Sequence, residues 1–458
     1  MAKKYHFVGI GGNGMSALAQ ICAMRGDKVS GSDKFLDSKV ADLPLWGSLK
    51  KLGVKFYPQD ASGITKDLDG VILSSAINEQ NPDYLKAKQL NLPLIHRSKS
   101  LADIISEYKT IAVTGTSGKS TTTAMIFEIL QTAGKNPSVI TGAPLLSLMK
   151  QGLVGNAFLG KSDIMVIEAD ESDGSFVNYH PEVALMLNLS KDHKDMDTLT
   201  GYFKNFRKNC KKFIINADEN NLDIFKSDKT FGLKKGNIRA TNIKLNGFTS
   251  VFRINNTEFK LNVAGIHNVS NAVASVSACV EMGADLPFCA KALENFKGTH
   301  RRFNSVGKAG GIEVIDDFAH NPEKIKASIK AAQLCGKRVL AFYQPHGYLP
   351  MQVYGQEIIR AFSSVLRDRD FLWMSDIYNV GQVPIEGVSS ENICKSLQSQ
   401  VKNVFCVSEK EDVIGDVTGI ARSGDIVLIM GARDPMLNDY SHRMFNRIKE
   451  QVRIKSVK

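Results

Sequence analysis

From Thr110 to Met125 the chain reads TIAVTGTSGKSTTTAM. An apolar, β-branched run leads into Gly115–Thr116–Ser117–Gly118–Lys119–Ser120, and a helix-forming stretch follows. This order predicts a strand, a glycine-rich loop and a helix. In that setting backbone N–H groups turn toward phosphate oxygens at the positive end of the helix. The spacing is short of a full Walker A loop, G-x-x-x-x-G-K-[ST], because Val113 stands where its first glycine belongs. The remainder keeps the chemistry of a phosphate loop. Lys119 supplies a point charge for terminal phosphates, and Ser120 or Thr121 offers a hydroxyl to Mg²⁺.

The strands that follow are expected to deliver the acids such a loop needs. DIMVIEADESDGSF brings Glu168, Asp170, Glu171 and Asp173 to one strand end, and EVALMLNLSKDHKDMD brings Asp192 and His193 to the next. In a parallel sheet ligands sit beyond the carboxyl ends of the strands. An acidic loop alone reads as solvated surface; two successive strand ends after a phosphate loop favour a Mg·ATP site with a second metal position.

The N-terminus opens the same way. YHFVGI runs into GIGGNGMSALAQICAMRG, with Gly9, Gly11 and Gly14 spaced G-x-G-x-x-G and Asp33 ending the next strand. This is the βαβ fingerprint of a dinucleotide site. It fits equally a glycine turn that only packs a helix on a sheet. A third α/β unit begins near FNSVGKAGGIEVIDDFAHNPEKIKASIKAA, with Asp316, Asp317, His320 and Asn321 crowded at a strand end and His346, Asp376 and Arg433 near later ones. Asn268 and Asn271, at i and i+3 in GIHNVSNA, share a helix face near its start, where asparagine usually caps.

Composition narrows the class. The 458 residues are 43% hydrophobic and 23% charged, which predicts a globular protein of two or three domains. No apolar run reaches the ~18 residues of a membrane span, and the N-terminus does not read as a signal peptide. The net charge of +11 comes from dispersed lysine without interleaved stacking aromatics, so nucleic acid is not expected as a partner. Seven scattered cysteines without a C-x-x-C pair predict reduced thiols in a cytoplasm.

Ten segments in register, among them GIGGNGMSALA, HRSKSLADI, VTGTSGKSTTTAM, EADESDGSF, DHKDMD, GIHNVSNA, HRRFNSVG, DDFAHNPE, QPHGY and DIYNVGQVPIEGVSS, resemble the Mur ligase family over essentially the whole chain. The resemblance implies an α/β fold of three domains. These are a Rossmann-like UDP-binding domain (1–107), a central P-loop ATPase-type domain (108–304) and a C-terminal Rossmann-like domain that receives the amino acid (305–458). It implies ATP and Mg²⁺, small-molecule partners (UDP-N-acetylmuramate and an amino acid, most like the alanine-adding branch), no membrane insertion, and a monomer or homodimer. Catalysis would fall to Lys119, Glu168 and His193, with Ser120, Glu168 and His193 as metal ligands. ATP would meet Gly115 to Thr121, Asn268, Asn271, Arg302 and Asp317. The sugar nucleotide would meet Gly9, Gly11, Gly12, Gly14, Met15, Ser16, Asp33 and Ser74, and the amino acid His320, Asn321, His346 and Arg433. The chain departs from the alanine-adding pattern at Ser117, Asn321, Gly347 and the GARDP segment, where Arg433 is a candidate replacement for an arginine absent at position 347. Other readings are a peptide ligase of cell-wall recycling, a ligase of the same family with another amino acid, an NAD-dependent oxidoreductase using the first glycine turn, and an inactive binding protein.

Overall fold

The computed structural model describes residues 2–34, 36, 44–171, 174–190, 196–379 and 381–457. His193, Asp192 and Asp173 lie outside the described residues. Three sheets organise the chain. The first is parallel, order β3-β2-β1-β4-β5, built from β1 (Lys4–Val8), β2 (Lys28–Ser32), β3 (Lys55–Tyr57), β4 (Gly70–Leu73) and β5 (Leu94–His96). The glycine turn leaves β1 where the strand order reverses, the position at which open α/β sheets bind ligands.

The second sheet contains β6 (Lys109–Thr114), β7 (Ser138–Ile140), β8 (Ala157–Phe158), β9 (Ile164–Glu168), β10 (Val183–Met186), β11 (Lys212–Asn216), β12 (Lys229–Gly232), β13 (Ile238–Asn246), β14 (Thr249–Ile254) and β15 (Thr257–Leu261), in the order β15-β14-β13-β12-β11-β10-β6-β9-β7-β8. β6 lies between two parallel neighbours, β10 and β9, and is buried from Thr110 to Thr114. Strands covered on both faces read as continuous apolar runs, which is how IAV arises here.

The third sheet runs β16-β17-β21-β18-β19-β20, from β16 (Asn304–Ala309), β17 (Ile312–Asp317), β18 (Arg338–Gln344), β19 (Phe371–Ser375), β20 (Val404–Val407) and β21 (Asp425–Gly431). All of it is parallel except β16 with β17. β18 and β21, at the centre, are buried along their whole length.

The chain divides into two compact units. One comprises Met1–Asn242, Phe252–Lys260 and Val269–Thr299, the other Ile243–Val251, Leu261–Asn268 and His300–Lys458. The expected boundary at 107/108 falls inside the first unit, where one apolar core joins Phe7, Leu18 and Ile21 to Met165, Phe176 and Phe203. The second unit packs helices on both faces of its sheet, around Ile315, Tyr343 and Leu428 on one side and Val314, Phe342 and Tyr440 on the other.

The expectation of seven reduced thiols is corrected at two positions. Cys394 and Cys406 form a disulfide, with Cα atoms 5.9 Å apart. The helix Ser390–Gln398 returns beside β20 and brings them within bridging distance. A separation of 12 residues carries no such signal in sequence. The other five cysteines are free.

His6, fully buried in β1, places Nδ1 2.9 Å from Ser30 Oγ and Nε2 3.9 Å from Asp83 Oδ2. Burial depresses it from 6.5 to about 4. Its contribution to stability is therefore complete above pH ~6.5, and is lost as the pH falls toward 4, because the unfolded chain takes up a proton that the native histidine refuses. At about 1.4 kcal/mol per unit this amounts to roughly 3 kcal/mol. Asp83, raised by its own burial, acts in the opposite sense. Urea midpoints between pH 6.5 and 4.5 should accordingly fall less steeply in His6→Asn than in the parent. Parallel slopes would show that His6 is protonated in the folded state.

Candidate active site

The loop after β6 takes its shape from glycine and from one amide on a neighbouring strand end. Gly115 (φ +124°) and Gly118 (φ +89°) occupy backbone space closed to other residues. A Cβ on Gly115 would lie 2.9 Å from Asn188 O, and one on Gly118 would lie 2.6 Å from Asn271 Oδ1. Asn188, just past β10, clasps the loop: its Oδ1 accepts from Thr116 Oγ1 and Ser117 N, each at 2.9 Å, and its Nδ2 donates to Ser117 O at 3.0 Å. Thr116 Oγ1 also lies 2.8 Å from Ser190 Oγ. Lys119 and Ser120 then open the helix Lys119–Thr132, whose first turn contains the half-buried Thr121.

Lys119 Nζ curls back onto the loop, donating to Gly115 O at 2.8 Å and pairing with Glu171 at 2.8 Å and Asp170 at 3.9 Å. Burial works against its charge, but the carboxylates of Glu171 and Asp170 outweigh it and raise the ammonium above its ordinary value. Glu171 is raised too, chiefly by its own burial. One β-strand over, Glu168 ends β9 with both oxygens engaged. Oε1 accepts from Thr141 Oγ1 at 2.5 Å and Gly142 N at 2.6 Å, and Oε2 accepts from Ser120 Oγ at 3.1 Å. A hydroxyl and a carboxylate beside a phosphate loop are the hard oxygen donors Mg²⁺ takes when phosphate supplies further ligands. Among the described residues no cluster of three or more His, Cys, Asp or Glu forms a self-contained metal cage.

In the first sheet Gly9 (φ +81°) makes the turn after β1, and Gly11 N donates to Asp33 Oδ2 at 2.8 Å. Asp33 thus braces the turn itself, and a Cβ on Gly11 would meet both Asp33 Oδ2 (2.9 Å) and Trp46 (2.8 Å). Ser74 lies against Gly9, and Gly14 lies near Arg97. Gly12 is exposed and caps the helix Asn13–Met24. Two residues expected at the ligand, Met15 and Ser16, are buried in that helix. Met15 belongs to the core, and Ser16 Oγ hydrogen-bonds Asn13 O and Asn156 Nδ2.

In the second unit Arg302 lays its guanidinium 4.5 Å over the Phe318 ring, and its charge acts on Asp317. Burial nevertheless raises Asp317, which accepts from Ser328 Oγ at 2.5 Å. His320 and His346 stand edge to face with centroids 5.4 Å apart, and burial holds His320 well below its usual value. Asn321 is the N-cap of the helix Pro322–Cys335, accepting from Lys324 N at 3.0 Å. Asn268 Nδ2 likewise donates to Ala264 O at 2.7 Å. Arg433 is exposed. Gly347 has φ +69° at the start of the helix Tyr348–Val365, where Gln382 Oε1 accepts from Tyr348 N at 2.9 Å. Asp376 accepts from Ser390 Oγ at 2.9 Å.

A lysine-bearing phosphate loop, a carboxylate facing its serine and a separate Rossmann-like turn place the chain among α/β proteins with nucleotide-binding architecture. The chain belongs to the Mur ligase family: residues 4–109 match the Mur ligase catalytic domain, 113–279 the Mur ligase middle domain, and 301–433 the Mur ligase glutamate ligase domain. It is 34% identical over 448 residues to a UDP-N-acetylmuramate–L-alanine ligase of Sulfurihydrogenibium sp., covering 94% of this chain and 95% of the relative. To the enzyme of that name from Dictyoglomus turgidum it is 35% identical over 458 residues, covering 94% of each. The crystal structure of UDP-N-acetylmuramate–alanine ligase MurC from Thermotoga maritima superposes with a TM-score of 0.81 at 28% identity, over 98% of this chain and 99% of that one. A murein peptide ligase from Psychrobacter arcticus shares the fold, with a TM-score of 0.68 at 22% identity over 98% and 99% of the two chains.

Proposed function

We propose that the chain joins L-alanine to the lactyl carboxylate of UDP-N-acetylmuramate, with ATP as the phosphoryl donor. The observation that carries the reading is Glu168. One of its oxygens is anchored by Thr141 and Gly142, and the other meets Ser120 beside Lys119. The γ-phosphoryl group of ATP passes to the lactyl carboxylate, giving an acyl phosphate and ADP. The amine of alanine then attacks the carbonyl, and phosphate leaves as the amide forms. Both steps crowd anions together, so cationic and N–H groups fixed in advance supply most of the stabilisation. Lys119 and the loop N–H groups would bind the terminal phosphates. Ser120 and Glu168 would hold Mg²⁺, which neutralises phosphate charge when bound. The glycine turn after β1 would take the uridine diphosphate. Asn271, beside Gly118, would bind the nucleoside of ATP; the resemblance assigns Arg302 and Asp317 to ATP as well, and His320, His346 and Arg433 to the amino acid.

Three functional domains, 1–107, 108–304 and 305–458, and a cytoplasmic location belong to the same reading. In support, the two relatives named UDP-N-acetylmuramate–L-alanine ligase align with this chain over 95% and 94% of their own lengths. Phosphate release by the purified protein with Mg·ATP should require UDP-N-acetylmuramate and L-alanine together. Release with a tripeptide but not with L-alanine would assign it instead to the recycling reaction.

A further inference from the structure

The amide of Asn156 has a geometry that neither phosphate chemistry nor the fold requires. Asn156 lies just before β8 and is 2% exposed. Its side chain makes three hydrogen bonds, all to the helix Asn13–Met24 that begins at the glycine turn. Oδ1 accepts from Gln20 Nε2 at 2.7 Å, while Nδ2 donates to Asn13 O at 2.9 Å and Ser16 Oγ at 3.0 Å. Its main-chain carbonyl faces the other way and accepts from Thr141 N at 2.9 Å. Thr141 and Gly142 are the two residues that hold Glu168 Oε1. A second link runs parallel, from Asn13 Nδ2 to Gly142 O at 3.2 Å. An unbroken chain of hydrogen bonds thus connects the first turn of the sugar-nucleotide helix to the carboxylate opposite Ser120.

We propose that Asn156 is a positioning residue that couples occupancy of the glycine turn to the setting of Glu168, so that sugar nucleotide and Mg·nucleotide strengthen each other's binding. The inference rests on the assignment of those two ligands made above. Helix docking alone does not call for the amide. Leu18 and Ile21 of the helix share one apolar core with Ile140 and Ala157, and a buried amide beside such a core is costly unless every donor and acceptor is met. Here every polar atom of the side chain is spent on the one helix whose N-terminus would receive the diphosphate. Any shift of that turn on binding is passed to Thr141 and Gly142 through a rigid, fully satisfied group.

The test is a binding cycle on the full-length protein, with Mg·ADP titrated calorimetrically with and without saturating UDP-N-acetylmuramate. The parent should bind Mg·ADP about fivefold tighter or more when the sugar nucleotide is present, and the reciprocal titration should give the same factor. Asn156→Leu should bring the factor close to one, with each ligand's separate affinity changed no more than about threefold. Gln20→Leu removes one of the three Asn156 bonds, together with the Gln20 Nε2 bond to Ser16 O, and should fall between the two and serve if Asn156→Leu folds poorly. Lower thermal stability with an unchanged factor in either folded variant would reduce Asn156 to a structural amide and overturn the proposal. A factor of one in a parent that binds both ligands would also overturn it, leaving the ligand assignment intact. Failure of the parent to bind UDP-N-acetylmuramate at all would remove the assignment itself.

Discussion

Lys119→Ala is expected to reduce phosphate release by about 10³-fold or more and to destabilise the protein at the same time, two losses with different causes. The first arises because Lys119 is the cation that folds back over the loop, 2.8 Å from Gly115 O, where terminal phosphates would be cradled. Removing one preorganised group that meets developing charge in a dry site costs about 10²–10³ in rate, and here ground-state binding is lost as well. The second arises because Glu171 is left buried without its partner. Removing one member of a buried pair costs about 3–5 kcal/mol when the other must stay charged. Glu171 escapes part of that by taking up a proton, as burial already raises it. Adding Glu171→Gln to the Lys119→Ala protein should therefore restore the urea midpoint while leaving turnover absent. Recovery of turnover in the double variant would mean that Lys119 serves only to neutralise Glu171, and that phosphate is held elsewhere.

What the sequence disclosed and what it hid divide along a physical line. The phosphate loop was legible despite its missing first glycine. Its two remaining glycines, Gly115 and Gly118, are the ones with positive φ, and the lysine and serine follow at the start of the helix. The strands leading to Glu168 and His346, β9 and β18, were legible because they are buried parallel strands with continuous apolar runs. Asn188, Thr141 and Asn156 were not. Each acts on a residue distant in sequence, and a lone asparagine or threonine at the edge of a strand has no local signature for such a partner. Asn188 offered the best available signal, a polar residue at the carboxyl end of the strand beside the phosphate loop. Asn321, expected at the amino acid, spends its Oδ1 on the local cap of the helix Pro322–Cys335. Asp33, placed as the fingerprint predicts, spends an oxygen on its own turn. The half-buried ladder from β12 to β15 was also unread, though Asn246–Gly247, with Gly247 at φ +58°, is a strong hairpin signal.

Arg301→Ala should cost the second unit about 3–5 kcal/mol of stability. Asp316, at the end of β17, is fully buried. Arg301 Nε lies 3.2 Å from both of its oxygens, Arg301 Nη2 donates to Gly431 O at 2.9 Å, and Asn438 Nδ2 completes the carboxylate at 2.8 Å. The network holds an unfavourable backbone, because Arg301 (φ +53°) and Phe303 (φ +50°) are both left-handed without being glycine. Such residues cost about 1–3 kcal/mol each, and they persist only where the surroundings over-determine them. Between them sits Arg302, whose guanidinium covers Phe318, and Phe318 N in turn donates to Arg301 O at 2.8 Å. The strain therefore also sets the direction of Arg302, which the resemblance assigns to ATP. Arg301→Ala abandons Asp316 and frees the turn, so the KM for ATP should rise along with the drop in urea midpoint. Arg301→Lys keeps the charge but not the planar fork that spans Asp316 and Gly431 O, and should recover only part of each. A leucine pair at 301 and 316 separates the two effects, because well-packed apolar replacement of a buried ion pair is often neutral for stability. That double variant should regain much of the midpoint while its KM for ATP stays high. A normal KM there would show that Arg302 is set by Phe318 alone.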